Sequence, residues 1–182
     1  MTTKISPLHN SEITIACDTR EQKPYRFVGF KTERKTLKTA DYSIVGLEDY
    51  VAIERKELGD FIGCIGRERE RFEREIERLK KFSVKYIIVE AHPIEIEQSR
   101  YRGNTHPNAV FGSIYSWLAQ DVPILLVGDR SRAERTVAGI LWHVAKRRFE
   151  EDEAYRKIIL DAREELEVEQ EATKGADDEK AG

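Results

Sequence analysis

Cysteine is scarce. Cys17 and Cys64 are the only two in 182 residues. Both sit among apolar neighbours, as free buried thiols do, and they offer neither a disulfide framework nor a zinc-ligand spacing. No stretch approaches the roughly 18 apolar residues of a membrane span. The N-terminus lacks the apolar core of a secretory signal. These absences predict a soluble, intracellular protein with no membrane partner. Positive charge is not in excess either. The formal net charge is −3, which excludes a globally basic chain of the kind that coats polyanions. The acids crowd the C-terminus, however, so the total says little about any one face. No internal repeat or low-complexity tract is present.

What remains is enough for one domain with a short appendage. Apolar residues make up 40% of the chain, sufficient for a core once the charged end is set aside. The expected boundaries are a flexible N-terminus at 1–11, a folded unit at 12–150, and a charged extension at 151–182. In the extension Tyr155, Ile158, Ile159, Ala162 and Leu166 keep a helical period. From Glu167 to Gly182 little is left to bury, which predicts a fraying helix and an acidic, disordered end.

The stretch Asp41–Asp60, DYSIVGLEDYVAIERKELGD, organises the rest. Ser43-Ile44-Val45 and Tyr50-Val51-Ala52-Ile53 have the β-branched and aromatic content of a hairpin, with Gly46-Leu47-Glu48-Asp49 as its turn. Side chains alternate along a strand. Val51, Ile53 and Arg55 therefore share one face, and Glu54 and Lys56 the other. Asp41 enters at the start of the first hairpin strand. Asp60 stands just past Lys56, where a helix begins. Carboxylates and a lysine converging at a strand end suit a divalent-cation phosphodiesterase: hard oxygens for Mg²⁺ and an ammonium to orient water or offset charge on phosphate. In a chain that is 36% charged, Glu-x-Lys alone is more often a solvated face or a cross-strand ion pair. The wider spacing is what gives it weight.

That spacing resembles the nuclease domain of the XPF/Hef/Mus structure-specific endonucleases. The shared pattern is Asp41-Tyr42, a short hairpin, Glu54-Arg55-Lys56 and then Asp60, preceded by Asp18-Thr19-Arg20-Glu21 at the end of an earlier strand. Ala40 stands where the family has glycine, a departure that bears on the backbone turn more than on the chemistry. The resemblance extends over about Glu12 to Glu150. It implies a restriction-endonuclease-like α/β fold of the PD-(D/E)XK type, a mixed sheet with a catalytic hairpin flanked by helices. It implies that Asp41 and Glu54, assisted by Asp18 or Asp60, hold Mg²⁺, with Mn²⁺ as substitute, that the Arg55 carbonyl completes the set, and that Lys56 orients the attacking water. Arg55, facing away from Lys56, is expected to brace the hairpin by pairing with an acid such as Asp60. DNA is the implied partner, with a homodimer or another protein supplying further contacts. The implied compartment is the cytoplasm, at the nucleoid, in a prokaryotic or viral setting and the nucleus in a eukaryotic one. Family members often carry a helix-hairpin-helix module after the nuclease domain, and none is recognisable here.

Elsewhere, Ile13–Cys17 reads as a first strand ending at Asp18. Asp18 and Glu21 are either functional or shapers of the turn. Residues 22–38 form a basic segment with interleaved aromatics. Arg20, Lys23 and Arg26 are candidate DNA contacts there, with a solvated loop as the alternative. Arg67–Phe82 is an amphipathic helix with Phe72, Ile76 and Leu79 as its apolar stripe. Arg67 and Arg71 lie nearest the proposed site and could position a DNA backbone. Tyr86–Val89 and Pro123–Val127 read as buried strands. Glu90 closes the first of these beside the site, as an outside candidate for a further ligand. The loop 95–108, with Arg102, either contacts DNA or is disordered. Helices are expected at Ala109–Ala119 and Arg132–Phe149. Trp117 and Trp142 on them serve either a dimer interface, as the matching helices do in the family, or the core. Two rivals stand beside the nuclease: a catalytically inactive DNA-binding or dimerisation module of the same fold, and a structural adaptor.

Overall fold

The structure, a computed structural model, describes residues 7–180, with side chains through Glu167 apart from Leu166. Residues 1–6 of the expected flexible N-terminus, residues 181–182 and the remaining side chains of the acidic end lie outside the described residues.

Six strands form one mixed sheet. β1 (Thr14–Asp18), β2 (Lys31–Lys35), β3 (Tyr42–Ile44), β4 (Val51–Glu57), β5 (Val84–Glu90) and β6 (Ile124–Leu126) lie in the order β2-β1-β3-β4-β5-β6. β3 runs antiparallel to both β1 and β4, and every other pairing is parallel. The C-terminal ends of β1, β4, β5 and β6 therefore gather at one edge with the entry to β3, the edge where α/β sheets characteristically bind ligands.

The period-2 pattern of β4 and β5 separates two cores. Val51, Ile53 and Ile88 join Ile13, Ile15, Tyr42 and Ile44 on one face, covered by α5 (Arg130–Glu151) through Val137 and Leu141. Ala52, Ile87 and Val89 join the other, covered by α1 (Leu58–Ile65), α2 (Arg69–Leu79) and α4 (Pro107–Leu118) through Phe61, Phe72, Ile76 and Trp117. The expected fold class is therefore the one observed. α1 and α2 are separate helices because the chain breaks at Gly66, the C-cap of α1 (φ −95°, ψ −109°). Gly46 at φ +85° makes the hairpin turn, a conformation that costs glycine little.

Three readings are corrected. Within the basic segment 22–38, the five residues Lys31–Lys35 are the edge strand β2, not a loop. Its sequence Lys-Thr-Glu-Arg-Lys shows no apolar alternation because it packs on one neighbour only, and its charges keep the free edge from pairing with other chains. Part of the 95–108 loop belongs to the short helix α3 (Pro93–Glu97), opened by a proline in its first turn. Trp117 is fully buried within the chain, edge-on to Phe61 and Phe72, so it packs the core and faces no partner. Past Asp152 the backbone of α6 (Glu153–Lys180) is helical throughout. It is seated by Tyr155 and Ile159 in the first core and by Arg163, which pairs with Glu12 and lies over Phe149. Among the described residues no helix is long and apolar enough to cross a membrane.

Trp117→Ala should destabilise the chain by about 3–5 kcal/mol, the cost of emptying a large aromatic site. The loss, read by urea denaturation, should be independent of protein concentration. A loss seen only as concentration-dependent dissociation would place Trp117 at an interface instead.

Candidate active site

Asp41 is set by the backbone before its side chain is considered. Its N–H donates to the Ile53 carbonyl (3.1 Å), and its carbonyl accepts from the Asp18 N–H (2.8 Å). One carboxylate oxygen, Oδ2, accepts from the Arg55 N–H at 2.8 Å. Ala40, just before it, sits at φ +65°, the left-handed conformation that glycine adopts without a Cβ clash. The turn survives the missing glycine and carries the strain. Backbone groups two residues apart on a strand face the same edge. The Arg55 carbonyl therefore faces the same side as the Ile53 carbonyl, toward Asp41.

Glu54 and Lys56 project together from β4 on the face opposite Arg55, as the alternation requires. Lys56 Nζ lies 2.5 Å from Glu54 Oε1 and 3.5 Å from Glu75 Oε1. Glu54 is 6% exposed. Burial pushes its pKa well above the usual carboxylate value, and repulsion from Asp41 and Glu75 outweighs the help from Lys56. Asp41 is pushed up to about 6, first by burial, against the Arg55 N–H that favours its charged form; Glu21 and Glu75 add to the rise. Burial pulls Lys56 down, but Glu54 and Glu75 win and hold the ammonium above its ordinary value. Lys56 is thus a fixed cation and donor, not a base. Glu75, on α2, was missed by sequence reasoning. The available signal was its place directly before Ile76 on the apolar stripe, which turns it toward the sheet.

Arg55 has other partners than expected. It makes a two-pronged pair with Glu90 (Nε–Oε1 2.7 Å, Nη2–Oε2 3.0 Å) and reaches Glu57 at 2.9 Å and Glu21 at 3.6 Å. Asp60 is not among them. Tyr25 donates its hydroxyl to Glu90 (2.7 Å), and Arg130 approaches the same carboxylate at 3.4 Å. Glu90 is thereby spent on the face away from Glu54 and is no ligand candidate.

Asp18 is likewise engaged. Arg20 grips both of its oxygens (2.7 and 3.0 Å), and the N–H groups of Arg20 and Leu37 add bonds of 2.8 and 2.7 Å. Burial would raise its pKa, but these donors hold it below the ordinary value. Arg20 spends its guanidinium on Asp18 and on the Leu37 carbonyl.

A polar hollow of about 440 Å³ opens over Asp41, Glu54 and Lys56. Glu21, Glu57 and Asp60 also line it, with Lys23, Arg67 and Arg71 at its rim. Lys23 pairs with Glu57 at 3.3 Å, and Arg71 with Glu68. Arg26 and Arg102 are exposed and lie outside its walls. Among the described residues no three of His, Cys, Asp and Glu converge into a ready-made cation cage, so Asp18 and Asp60 do not complete a cluster with Asp41 and Glu54. The remaining pair still fits a hard cation. The buried Glu54 and the half-buried Asp41, both of raised pKa, share one hollow beside an inward carbonyl, and Mg²⁺ commonly takes one or two carboxylates plus water and substrate oxygens.

The ERCC4 domain model matches residues 17–140, a stretch that includes Asp18, Asp41, Glu54, Lys56 and Asp60. The chain belongs to the ERCC4 domain family. Among solved structures this ERCC4 domain is similar to XPF from Aeropyrum pernix, at 20% identity and TM-score 0.59, over 82% of this chain and 73% of that one. It is also similar to XPF from Aeropyrum pernix in complex with DNA, at 22% identity and TM-score 0.58, over 74% and 66%. No curated protein matches the sequence.

The raised carboxylate pKa values give a signed pH dependence. Below the ordinary value of 3.8, Asp41 is protonated in both the folded and unfolded chain and costs nothing. As pH rises toward about 6 the unfolded chain loses its proton first and the folded form is penalised. Glu54 adds in the same direction. Without divalent cations, Glu54→Gln should melt with the wild type near pH 4 and progressively above it toward pH 7. A difference that stays constant with pH would contradict the strained pair.

Proposed function

We propose that this chain is a metal-dependent endodeoxyribonuclease that hydrolyses phosphodiester bonds of branched or flap-like DNA, in repair or recombination. The observation that carries the reading is the pairing, in one hollow, of a buried carboxylate, Glu54, and a half-buried one, Asp41, which repel each other, with the charged Lys56. A scaffold gains nothing from such an arrangement, and it becomes favourable once a cation and a phosphate enter. Membership of the ERCC4 family and the fold shared with a DNA-bound XPF support the substrate class.

Asp41 and Glu54 would hold Mg²⁺ or Mn²⁺, with the Arg55 carbonyl as a third oxygen. When bound, such a cation lowers the pKa of water and offsets the charge growing on phosphate. The protein does the rest. Lys56, held protonated, donates to the attacking water or to a phosphate oxygen, fixing the line of approach. The water oxygen, giving up a proton to solvent, bonds to phosphorus as the opposite P–O bond breaks, and the leaving sugar oxygen takes up a proton from solvent. The Arg55–Glu90 pair keeps the end of β4 rigid, so that Asp41 and Glu54 stay facing each other. Asp18 and Arg20 buttress the entry to β3. Lys23, Arg67 and Arg71 at the rim face the strand as it arrives. Arg26 and Arg102, further out, are available to a longer duplex.

A second copy of the chain would supply further grip. Tyr115 and Leu118 on α4 are exposed, and Phe111 stacks beside Tyr115. Beside α5 a largely apolar hollow of about 450 Å³ opens between Tyr86, Ile140 and His143. Trp142, half buried on α5, is the tryptophan left for such an interface.

End-labelled single strand, duplex, 3′ flap and splayed fork, incubated with Mg²⁺ or Mn²⁺, should be cut by the wild type and not after chelation. Glu54→Gln and Lys56→Ala should each lower the rate by at least about 100-fold without loss of fold. Binding that is retained with no cutting of any substrate would favour the inactive DNA-binding module instead.

A further inference from the structure

A second hollow, of about 320 Å³, borders the same residues. It shares Arg20, Asp41, Glu54 and Lys56 with the first and continues toward Thr39 and Arg78. The reacting groups therefore stand on a divide between two polar hollows, not at the bottom of one. The first hollow ends at Lys23, Arg67 and Arg71. The second ends at the C-terminal turn of α2 and the bend before β3.

Four bases, Arg20, Lys38, Lys56 and Arg78, and four acids, Asp18, Asp41, Glu54 and Glu75, line the second hollow, but they are not paired one to one. Asp18 is neutralised by the two-pronged bond from Arg20. Glu54 and Glu75 share Lys56. Arg78 faces this hollow with no acid in ion-pair range among the described residues. Its Nε donates to the buried hydroxyl of Thr39 at 3.0 Å, which fixes the plane of the guanidinium and leaves both Nη groups open. Lys38, beside it, pairs only with Asp49, at 2.7 Å, with both side chains more than three-quarters exposed. Such a pair is weak and yields readily to a stronger anion.

We propose that Arg78, with Lys38, is a second phosphate subsite for the nucleic-acid strand being cut. It holds a phosphate flanking the reacting one, on the side opposite Lys23, Arg67 and Arg71. The proposal rests on the nuclease reading above. A polynucleotide whose reacting phosphate lies on the divide must leave through both hollows, and a planar guanidinium with two open nitrogens suits a phosphate held two-pronged. The site requires a strand that continues past the cut. It predicts that the protein does not act efficiently on a phosphate at a strand end.

The test is a phosphate-by-phosphate neutralisation. A fork whose cut position is mapped in the cleavage assay is prepared with single methylphosphonate linkages at successive positions. Binding of the 182-residue chain is followed by fluorescence anisotropy against salt. Arg78→Ala should weaken binding of the unmodified fork about tenfold and lower the salt slope by about one. One methylphosphonate, flanking the cut on one side, should weaken the wild type and leave Arg78→Ala unaffected. Arg71→Ala should be blind to a linkage on the other side. Arg78→Lys should recover part of the affinity, and the melting temperatures should show that all the variants are folded. If every linkage costs Arg78→Ala as much as the wild type, or if the Arg78 and Arg71 variants are blind to the same linkage, the subsite is wrong and the nuclease reading stands. If the wild type neither binds nor cuts the fork, both are wrong.

Discussion

One hydrogen bond holds the site in register: Arg55 N–H to Asp41 Oδ2, at 2.8 Å. It ties the entry to β3 to the end of β4, so Asp41 is positioned near Glu54 by a single backbone group. That group is placed in turn by the Arg55 side chain, anchored on the far side of the strand in the buried pair with Glu90. Alternation along three residues thus divides the labour. Glu54 and Lys56 face the hollow, and Arg55 faces away and supplies rigidity. A buried pair of this kind adds little net stability against an apolar substitute, but removing one partner strands a charge. Its value here is geometric.

The site is built against the stability of the cation-free fold. The half-buried Asp41 and the buried Glu54 repel each other, and Ala40 holds a left-handed backbone conformation immediately before Asp41. Strain of this sort persists only where its surroundings over-determine it. Two cores clamp it, one on each face of β4, and the bond from Arg20 to Asp18 secures the neighbouring strand end. The same features make the hollow receptive. On the proposed reading, a divalent cation would relieve the repulsion, and a phosphate would find Lys56 already charged.

Much of this was legible in the sequence because it follows local periods. The β3–β4 hairpin, the stripe Phe72–Ile76–Leu79 on α2 and the apolar run of β5 each announce themselves within a few residues, and the motif spacing located Asp41, Glu54 and Lys56. What escaped depends on contacts distant in sequence or on solvent. β2 carries no apolar pattern, since it packs on one neighbour at the sheet edge. Arg55 finds Glu90, 35 residues away, because β5 lies parallel to β4, and no local rule reveals that partner. Asp18 read as a possible ligand, and the structure instead surrounds it with Arg20 and two backbone N–H groups. Glu75 looked like one more acid on a charged helix until the packing of α2 turned it inward against Lys56. Trp117 left core and interface open, and only the positions of Phe61 and Phe72 decided between them.

The central claim is that Asp41, Glu54 and the backbone carbonyl of Arg55 form a divalent-cation site beside Lys56. It is tested most directly by anomalous scattering from crystals of the wild type grown with Mn²⁺. The account predicts a peak between the two carboxylates, within coordination distance of the Arg55 carbonyl oxygen and absent from Glu54→Gln crystals. A peak confined to the outer acids Glu57 and Asp60, or no peak at saturating Mn²⁺, would contradict it.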